Sequence, residues 1–309
     1  MGARDGQDRS RVKATPRVSI VISAFHSDTT IADCLQSLRG QTFRDFEVIV
    51  VNSSPEERTR LIVEERFSEV RFEQAPARLL PHAARNRGVE RARGELLVFT
   101  DPDCRARPDW LERLVQSLDA GHRLVCGAIE LSETGWFARG VHLCKYSFRL
   151  SGLSGGPSSV AGTANAGCSR DLWNAVGPFN GDRFAGDGLF SWLAAAKDCQ
   201  PWFEPRAIVE HRYVGSVGSL WSERITRGTD FAETRMAFER WSATRAAVYL
   251  AIVPLLLVIV LARTGREALE AGWGAYFILT LPLQVVGQLA WCLGEARAHW
   301  RRLTLASRG

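Results

Sequence analysis

Paired cysteines are missing from this sequence. The seven cysteines, at 34, 104, 126, 144, 168, 199 and 292, are odd in number, scattered, and form no Cys-x-x-Cys pair. That pattern excludes a disulfide framework and a thiolate zinc site, and fits reduced, buried thiols of a cytosolic protein. No glycine-rich, lysine-bearing phosphate loop follows the first apolar stretch, which counts against nucleotidyl transfer. Residues 1–17 are polar throughout, so no signal peptide is read there and the soluble part is expected to begin in the cytoplasm. The net charge of +5 is modest and largely arginine, with Arg9, Arg11, Lys13 and Arg17 near the start and Arg297, Arg301 and Arg302 near the end. No DNA- or RNA-binding motif accompanies those basic ends. An anionic membrane surface is therefore the expected partner, and nucleic acid is not.

What is present is an alternation of short apolar runs with amphipathic helices, which predicts a doubly wound α/β sheet. Residues 18–22 read as a first strand followed by the loop Ser23-Ala24-Phe25-His26-Ser27. Ile31, Cys34, Leu35 and Leu38 then share one face of a helix that Gly40 ends. Residues 46–51 supply a second strand, closing in Asn52-Ser53-Ser54-Pro55, and residues 70–72 a short third one. A helix is expected from Pro81 to Ala92, and another after Pro108 with Leu111, Leu114, Val115 and Leu118 on one face.

Leu96-Leu97-Val98-Phe99-Thr100 is the most strand-like run of all, and it stops abruptly at Asp101-Pro102-Asp103. An uncharged run of this kind suits a buried parallel strand, whose carboxyl end is where open α/β sheets bind ligands. Proline fixes its own φ and biases Asp101 towards extended geometry, so the two carboxylates are presented in a defined arrangement. Paired hard oxygens suit Mg²⁺ or Mn²⁺, particularly beside a diphosphate. Asp and Pro are also common turn formers, so the motif alone does not decide. Asp187, ahead of the apolar helical face of Leu189, Phe190 and Trp192, reads on its own terms as a helix-capping aspartate or a proton acceptor.

Taken together, residues 19–51, Ala84-Arg85-Asn86-Arg87-Gly88, residues 94–103, Pro108-Asp109-Trp110-Leu111, Ala164-Asn165-Ala166, Val176-Gly177-Pro178-Phe179 and Gly186-Asp187 resemble the family-2 inverting glycosyltransferases of the GT-A fold, in a membrane-anchored bacterial form. The likeness covers about two thirds of the chain, and its ordered motifs are more specific than any one of them. It implies a Rossmann-like, mostly parallel sheet flanked by helices. It also implies sugar transfer, with inversion, from a nucleotide-diphosphate sugar to an acceptor hydroxyl, lipid-linked or glycan. By position, Ala24, Phe25, Asn52, Ser53, Arg85, Asn86, Asp101 and Asp103 would bind the nucleotide sugar, and Asp187 would deprotonate the acceptor. Asn165 and Trp192 would lie on the acceptor side. Asp101, Asp103 and His211 would hold the metal, with the imidazole favouring Mn²⁺ over Mg²⁺.

Two departures stand out. Asn52-Ser53-Ser54 replaces the family's paired aspartates followed by glycine and serine, and Gly186-Asp187 replaces Glu-Asp while keeping the aspartate. The first motivates an alternative, a catalytically silent nucleotide-sugar-binding or scaffold protein; nucleotidyl transfer on the same fold is a third reading. His26 is given no role, and His82, His122, His142 and His299 stand in no constellation.

The chain is expected to divide into a disordered basic lead (1–16), a catalytic domain (17–215), an arginine- and aromatic-rich interfacial segment (216–244) and a C-terminal region (245–309). The last holds two uncharged runs, about 246–262 and 271–294, long enough to span a bilayer. Arginines flank both outer ends, whereas the loop between balances two arginines against two glutamates. The positive-inside rule then predicts a transmembrane helical hairpin in the cell membrane, with the catalytic domain and both termini cytoplasmic.

Overall fold

The computed structural model describes residues 15–213 and 215–306, so nearly all of the expected basic lead, and Arg308 of the tail, lie outside the described residues. The first half alternates regularly: β1 (Val18–Ala24), α1 (Ile31–Arg39), β2 (Phe46–Asn52), α2 (Arg58–Arg66), β3 (Arg71–Gln74), α3 (Pro81–Arg91) and β4 (Leu96–Thr100). β1 pairs in parallel with both β2 and β4, and β2 with β3. The Val- and Ile-rich strands are buried on both faces because helices cover each side: α1 buries Ile31, Cys34, Leu35 and Leu38 on one, while α3 lies against the other. α3 lies so close that a Cβ on Gly88 would sit 2.4 Å from Cγ1 of Val21.

The second half comprises β5 (Cys104–Ala106), α4 (Trp110–Asp119), β6 (Leu124–Leu131), α5 (Trp136–Tyr146), β7 (Gly156–Pro157), β8 (Asn165–Ser169), α6 (Arg170–Val176), α7 (Gly186–Ala195) and β9 (Trp202–His211). The strands run β3-β2-β1-β4-β8-β6-β9-β5, with β7 on β9. Here the expectation of a mostly parallel sheet needs amendment. β8 is antiparallel to both β4 and β6, and β5 is antiparallel to β9. Only residues 101–103 separate β4 from β5. A parallel neighbour needs a crossover of a dozen residues or more, so the chain leaves β4 and pairs at the far edge instead.

Asn165 is a structural bridge, not an open acceptor-side group. Fully buried, it donates from Nδ2 to the carbonyls of Ala128 and Ala207 at 2.7 and 2.9 Å, and its Oδ1 accepts from Trp110 Nε1 at 2.8 Å. Gly127 makes room for it, since a Cβ there would lie 2.1 Å from the Ala207 carbonyl, beside the register shift between β6 and β9. Asn165→Ala strands one indole donor and two carbonyls away from water. The expected loss is about 2–3 kcal/mol of stability, read as a lower denaturation midpoint at unchanged m-value.

The chain closes with α8 (Val217–Phe238), α9 (Ala243–Ala251), α10 (Val253–Glu270), α11 (Gly274–Leu279) and α12 (Leu281–Ala306). The segment expected at a membrane interface is α8, and one side of it packs inward: Arg224 is buried, stacks 4.3 Å from the Trp291 ring and donates to Gln288 Oε1 at 2.8 Å. Nor do the two expected spans form as straight helices. Among the described residues no single helix is long and apolar enough to cross a membrane, and α9 with α10 passes only as a pair bent by 67°. The second run breaks between α11 and α12. Its longer part is tied to α5 through Gln284 Nε2 on the Gly140 carbonyl, 2.8 Å, and Gln288 Nε2 on that of Cys144, 3.2 Å.

Candidate active site

Three parallel strands end side by side. Ala24 of β1 is in register with Asn52 of β2, and Thr100 of β4 faces Ile22. Beyond them opens a cavity of about 500 Å³ whose lining includes Phe25, His26, Ser53, Gln74 and Arg78. His26 turns the β1 loop with a φ of 49°, in the left-handed region. Its N–H donates to Ser54 Oγ at 2.6 Å. Phe25, exposed, lies under the Arg78 guanidinium, 4.6 Å from its ring centroid, a surface suited to stacking a flat base.

Asn52 does not line that cavity. It is fully buried, donating from Nδ2 to Gln74 Oε1 at 2.8 Å and accepting from Ser54 Oγ at 3.0 Å. Its amide shapes the wall, whereas Ser53 faces the space. Asn86 is likewise engaged, both accepting from the Phe179 N–H (3.0 Å) and donating to its carbonyl (2.8 Å).

The two acids after β4 are held differently. Asp101 Oδ1 accepts from Arg85 NH2, presented by α3 from a position only 3% exposed. Asp103 faces β9, because the β5–β9 pairing sets Cys104 opposite His211 and brings Asp103 Oδ2 to 3.5 Å from His211 Nε2. The Arg212 N–H fixes the turn on the Asp103 carbonyl, 3.0 Å. Potential ligand atoms of Asp103, Cys104 and His211 all lie within 4.8 Å of one another. Burial pushes the Cys104 thiol well up, so it stays protonated. Burial also lowers His211, keeping its lone pair free at neutral pH. A carboxylate and a neutral imidazole fit Mn²⁺ as donors. Asp101 is not part of this group; its carboxylate is held by Arg85.

Asp187 is not the cap of α7. Ala185 occupies that position without a side-chain bond, and Asp187 lies in the first turn. One of its oxygens accepts from the Gly188 N–H at 2.8 Å and the other from the Thr163 N–H at 3.2 Å, so it spans α7 and the loop before β8. Its side chain is 23% exposed, enough to meet an acceptor. Trp192, one turn later, packs on Phe231 and Phe238 of α8 with ring centroids 5.5 and 5.6 Å apart, forming wall as much as contact surface.

The residue that sequence reasoning passed over is His82. Buried on α3, it lies 3.7 Å from Asp187 Oδ1, and its Nε2 meets the Phe184 carbonyl at 3.1 Å. That carbonyl can only accept, so Nε2 carries the hydrogen and Nδ1 faces Arg85 NH1 at 3.5 Å. A polar chain thus runs Asp187, His82, Arg85, Asp101. His82 and Arg85 are three positions apart, about one helical turn, which is the signal a helical reading of Pro81-His82-Ala83-Ala84-Arg85 contained. Burial holds the imidazole down to about 4, so it is neutral at pH 7. An unfolded chain takes up that proton near its ordinary value of 6.5, so native stability should fall as pH drops from 6.5 towards 4. His82→Gln should flatten that acid limb in denaturation measured against pH.

α8 completes the far wall. Lys145 Nζ and Arg227 Nε each lie 2.8 Å from Glu223 Oε1. Burial would raise Glu223, but Lys145 and Arg227 hold it down to about 2. Glu223 and Arg227 escaped notice because an arginine- and aromatic-rich stretch reads as a surface helix, while only packing brings it to the site.

The family model of Glycosyl transferase family 2 matches residues 19–176. The chain belongs to that family. Among curated relatives, the putative glycosyltransferase EpsH of Bacillus subtilis is 34% identical over 129 residues, covering 39% of this chain and 36% of its own. The glycosyltransferase AglE of Haloferax volcanii is 28% identical over 189 residues, covering 59% and 62%. The chain thus spans less than two thirds of either relative. Among solved structures, the mannosyltransferase PcManGT of Pyrobaculum calidifontis, in complex with GDP-Man and Mn²⁺, superposes with a TM-score of 0.64 at 18% identity, over 93% of this chain and 88% of the other. That likeness shows a common GT-A-type fold.

Proposed function

We propose that this chain transfers a sugar, with inversion and dependence on a divalent metal, from a nucleotide-diphosphate sugar to the hydroxyl of a lipid-linked or glycan acceptor at the cytoplasmic membrane face. The observation that carries the reading is the convergence of Asp103 with His211, 3.5 Å apart, beside an Asp187 anchored to Thr163 and Gly188. A base would stack at Phe25, and Arg85 would keep Asp101 oriented towards the ribose. Asp103 and His211 would hold Mn²⁺ or Mg²⁺, which neutralises charge on a departing diphosphate. Asp187 takes the acceptor proton, and attack on the anomeric carbon from the face opposite the leaving group needs no enzyme nucleophile. In support, PcManGT was solved with a nucleotide sugar and Mn²⁺. Nucleic acid has no place in this reading.

A thermal-shift screen of the purified chain against nucleoside diphosphates, with and without Mn²⁺, tests it. One base should raise the melting temperature in the presence of Mn²⁺, because ligand at about 100 times its Kd stabilises by about 2.7 kcal/mol. Equal melting temperatures throughout would contradict the reading.

A further inference from the structure

The helices after α8 expose more apolar surface than a water-facing domain tolerates. Val258 and Ile259 of α10 are 61% and 51% exposed, Ile278 of α11 is 70%, and Leu281, Val285, Leu289 and Leu293 make an exposed stripe at every fourth position along α12. Contiguous patches of this kind mark an interaction site. The opposite side of α12 is polar and tied down, with Gln284 and Gln288 on the carbonyls of α5 and Thr229 Oγ1 of α8 on the Gly294 carbonyl at 3.0 Å. One side of the assembly is therefore apolar and the other is bolted to the sheet domain. A helix with that division cannot be surrounded by lipid.

Charge and aromatic placement say what covers the face. Residues 246–262 and 271–294 contain no charged side chain, whereas residues 243–306 as a whole hold six arginines against three glutamates. Arg266 and Arg297 are exposed and have no ion pair among the described residues. Trp136, 49% exposed, anchors its Nε1 on the Leu279 carbonyl at 2.7 Å beside the patch, and Trp300 is 62% exposed. An apolar face with indoles and unpaired arginines at its margin matches a bilayer interface with anionic headgroups.

We propose that α9, α10, α11 and α12 form a platform that enters one leaflet of an anionic membrane without crossing it. Hydrocarbon then covers the Val, Ile and Leu face, and the arginines meet lipid phosphates. The docking does not depend on the glycosyl-transfer reading. It has a consequence for that reading, since α5 runs from Trp136 at the platform to Lys145 at the cleft. Nine residues of helix span about 14 Å, so an acceptor carried by the membrane would sit about one such helix length from Lys145.

The test uses the full chain and vesicles with and without phosphatidylglycerol, separated by flotation. Binding should be strong to the anionic vesicles and fall at least about tenfold in the double variant Val258→Asp, Leu289→Asp, at an unchanged melting temperature since both positions are exposed. Topology is read from single cysteines at Glu57, on the sheet domain, and Glu270, the last residue of α10, probed in native membranes with an impermeant maleimide; the native cysteines are all buried. Both should label from the same side. Labelling from opposite sides, failure of the wild type to float, or undiminished binding by the aspartate variant would each overturn the proposal.

Discussion

Asp187→Asn is expected to lower turnover by roughly 10²-fold or more, the usual contribution of a positioned general base, while donor affinity stays near that of the wild type. Asn keeps the size of Asp but cannot accept a proton. The structure adds a control. Asp187 accepts from two backbone donors, Thr163 N–H and Gly188 N–H, and an amide has only one accepting atom. One donor must lose its bond, at a cost of about 1–3 kcal/mol. Transfer rate, nucleotide affinity and melting temperature therefore have to be taken from one preparation. A folded variant with normal nucleotide affinity and lost turnover is the expected triad. Near-normal turnover would mean that another group takes the proton. Turnover in His82→Gln should fall through kcat with KM little changed, because His82 touches Asp187 and Arg85 and lies behind both.

Asp103→Ala should abolish Mn²⁺-dependent binding of nucleoside diphosphate. It leaves His211 as a lone protein donor, and loss of an outer partner of a metal ligand already costs 10–100-fold, so more than about 100-fold is expected here. Asp101→Ala should behave differently. It strips the partner from Arg85, which is almost wholly buried and whose Nε already has none. Removing one member of a buried pair costs about 3–5 kcal/mol, so the Asp101 variant should lose stability first. Isothermal titration with Mn²⁺ present, beside denaturant melts, separates the two. Equal loss of stability in both variants would mean that Asp103 is also a structural carboxylate.

Much of the sheet was legible because its signals are local. Runs of Val and Ile stop at polar residues, and β1, β2 and β4 fall where those runs do. What escaped the sequence depends on pairing between distant segments. Three residues between β4 and β5 exclude a parallel neighbour, yet nothing local says that β5 joins β9, and that pairing alone sets Asp103 beside His211. Asn165 and Asn86 were candidate ligands only through their positions in the family resemblance. Backbone groups engage both, Ala128 and Ala207 in one case and Phe179 in the other. His82 was invisible for the opposite reason, since its partner Asp187 is more than a hundred positions away. The C-terminal runs are uncharged as expected, but hydropathy cannot distinguish a straight span from a bent helix pair with one face packed on protein.

The most direct test of the account is release of nucleoside diphosphate from a panel of nucleotide sugars by the purified chain, before and after chelation. Release from at least one donor with Mn²⁺, lost on chelation, restored by added metal and absent in Asp103→Ala, is the predicted result. No release from any donor, or release of pyrophosphate from a nucleoside triphosphate instead, would contradict it.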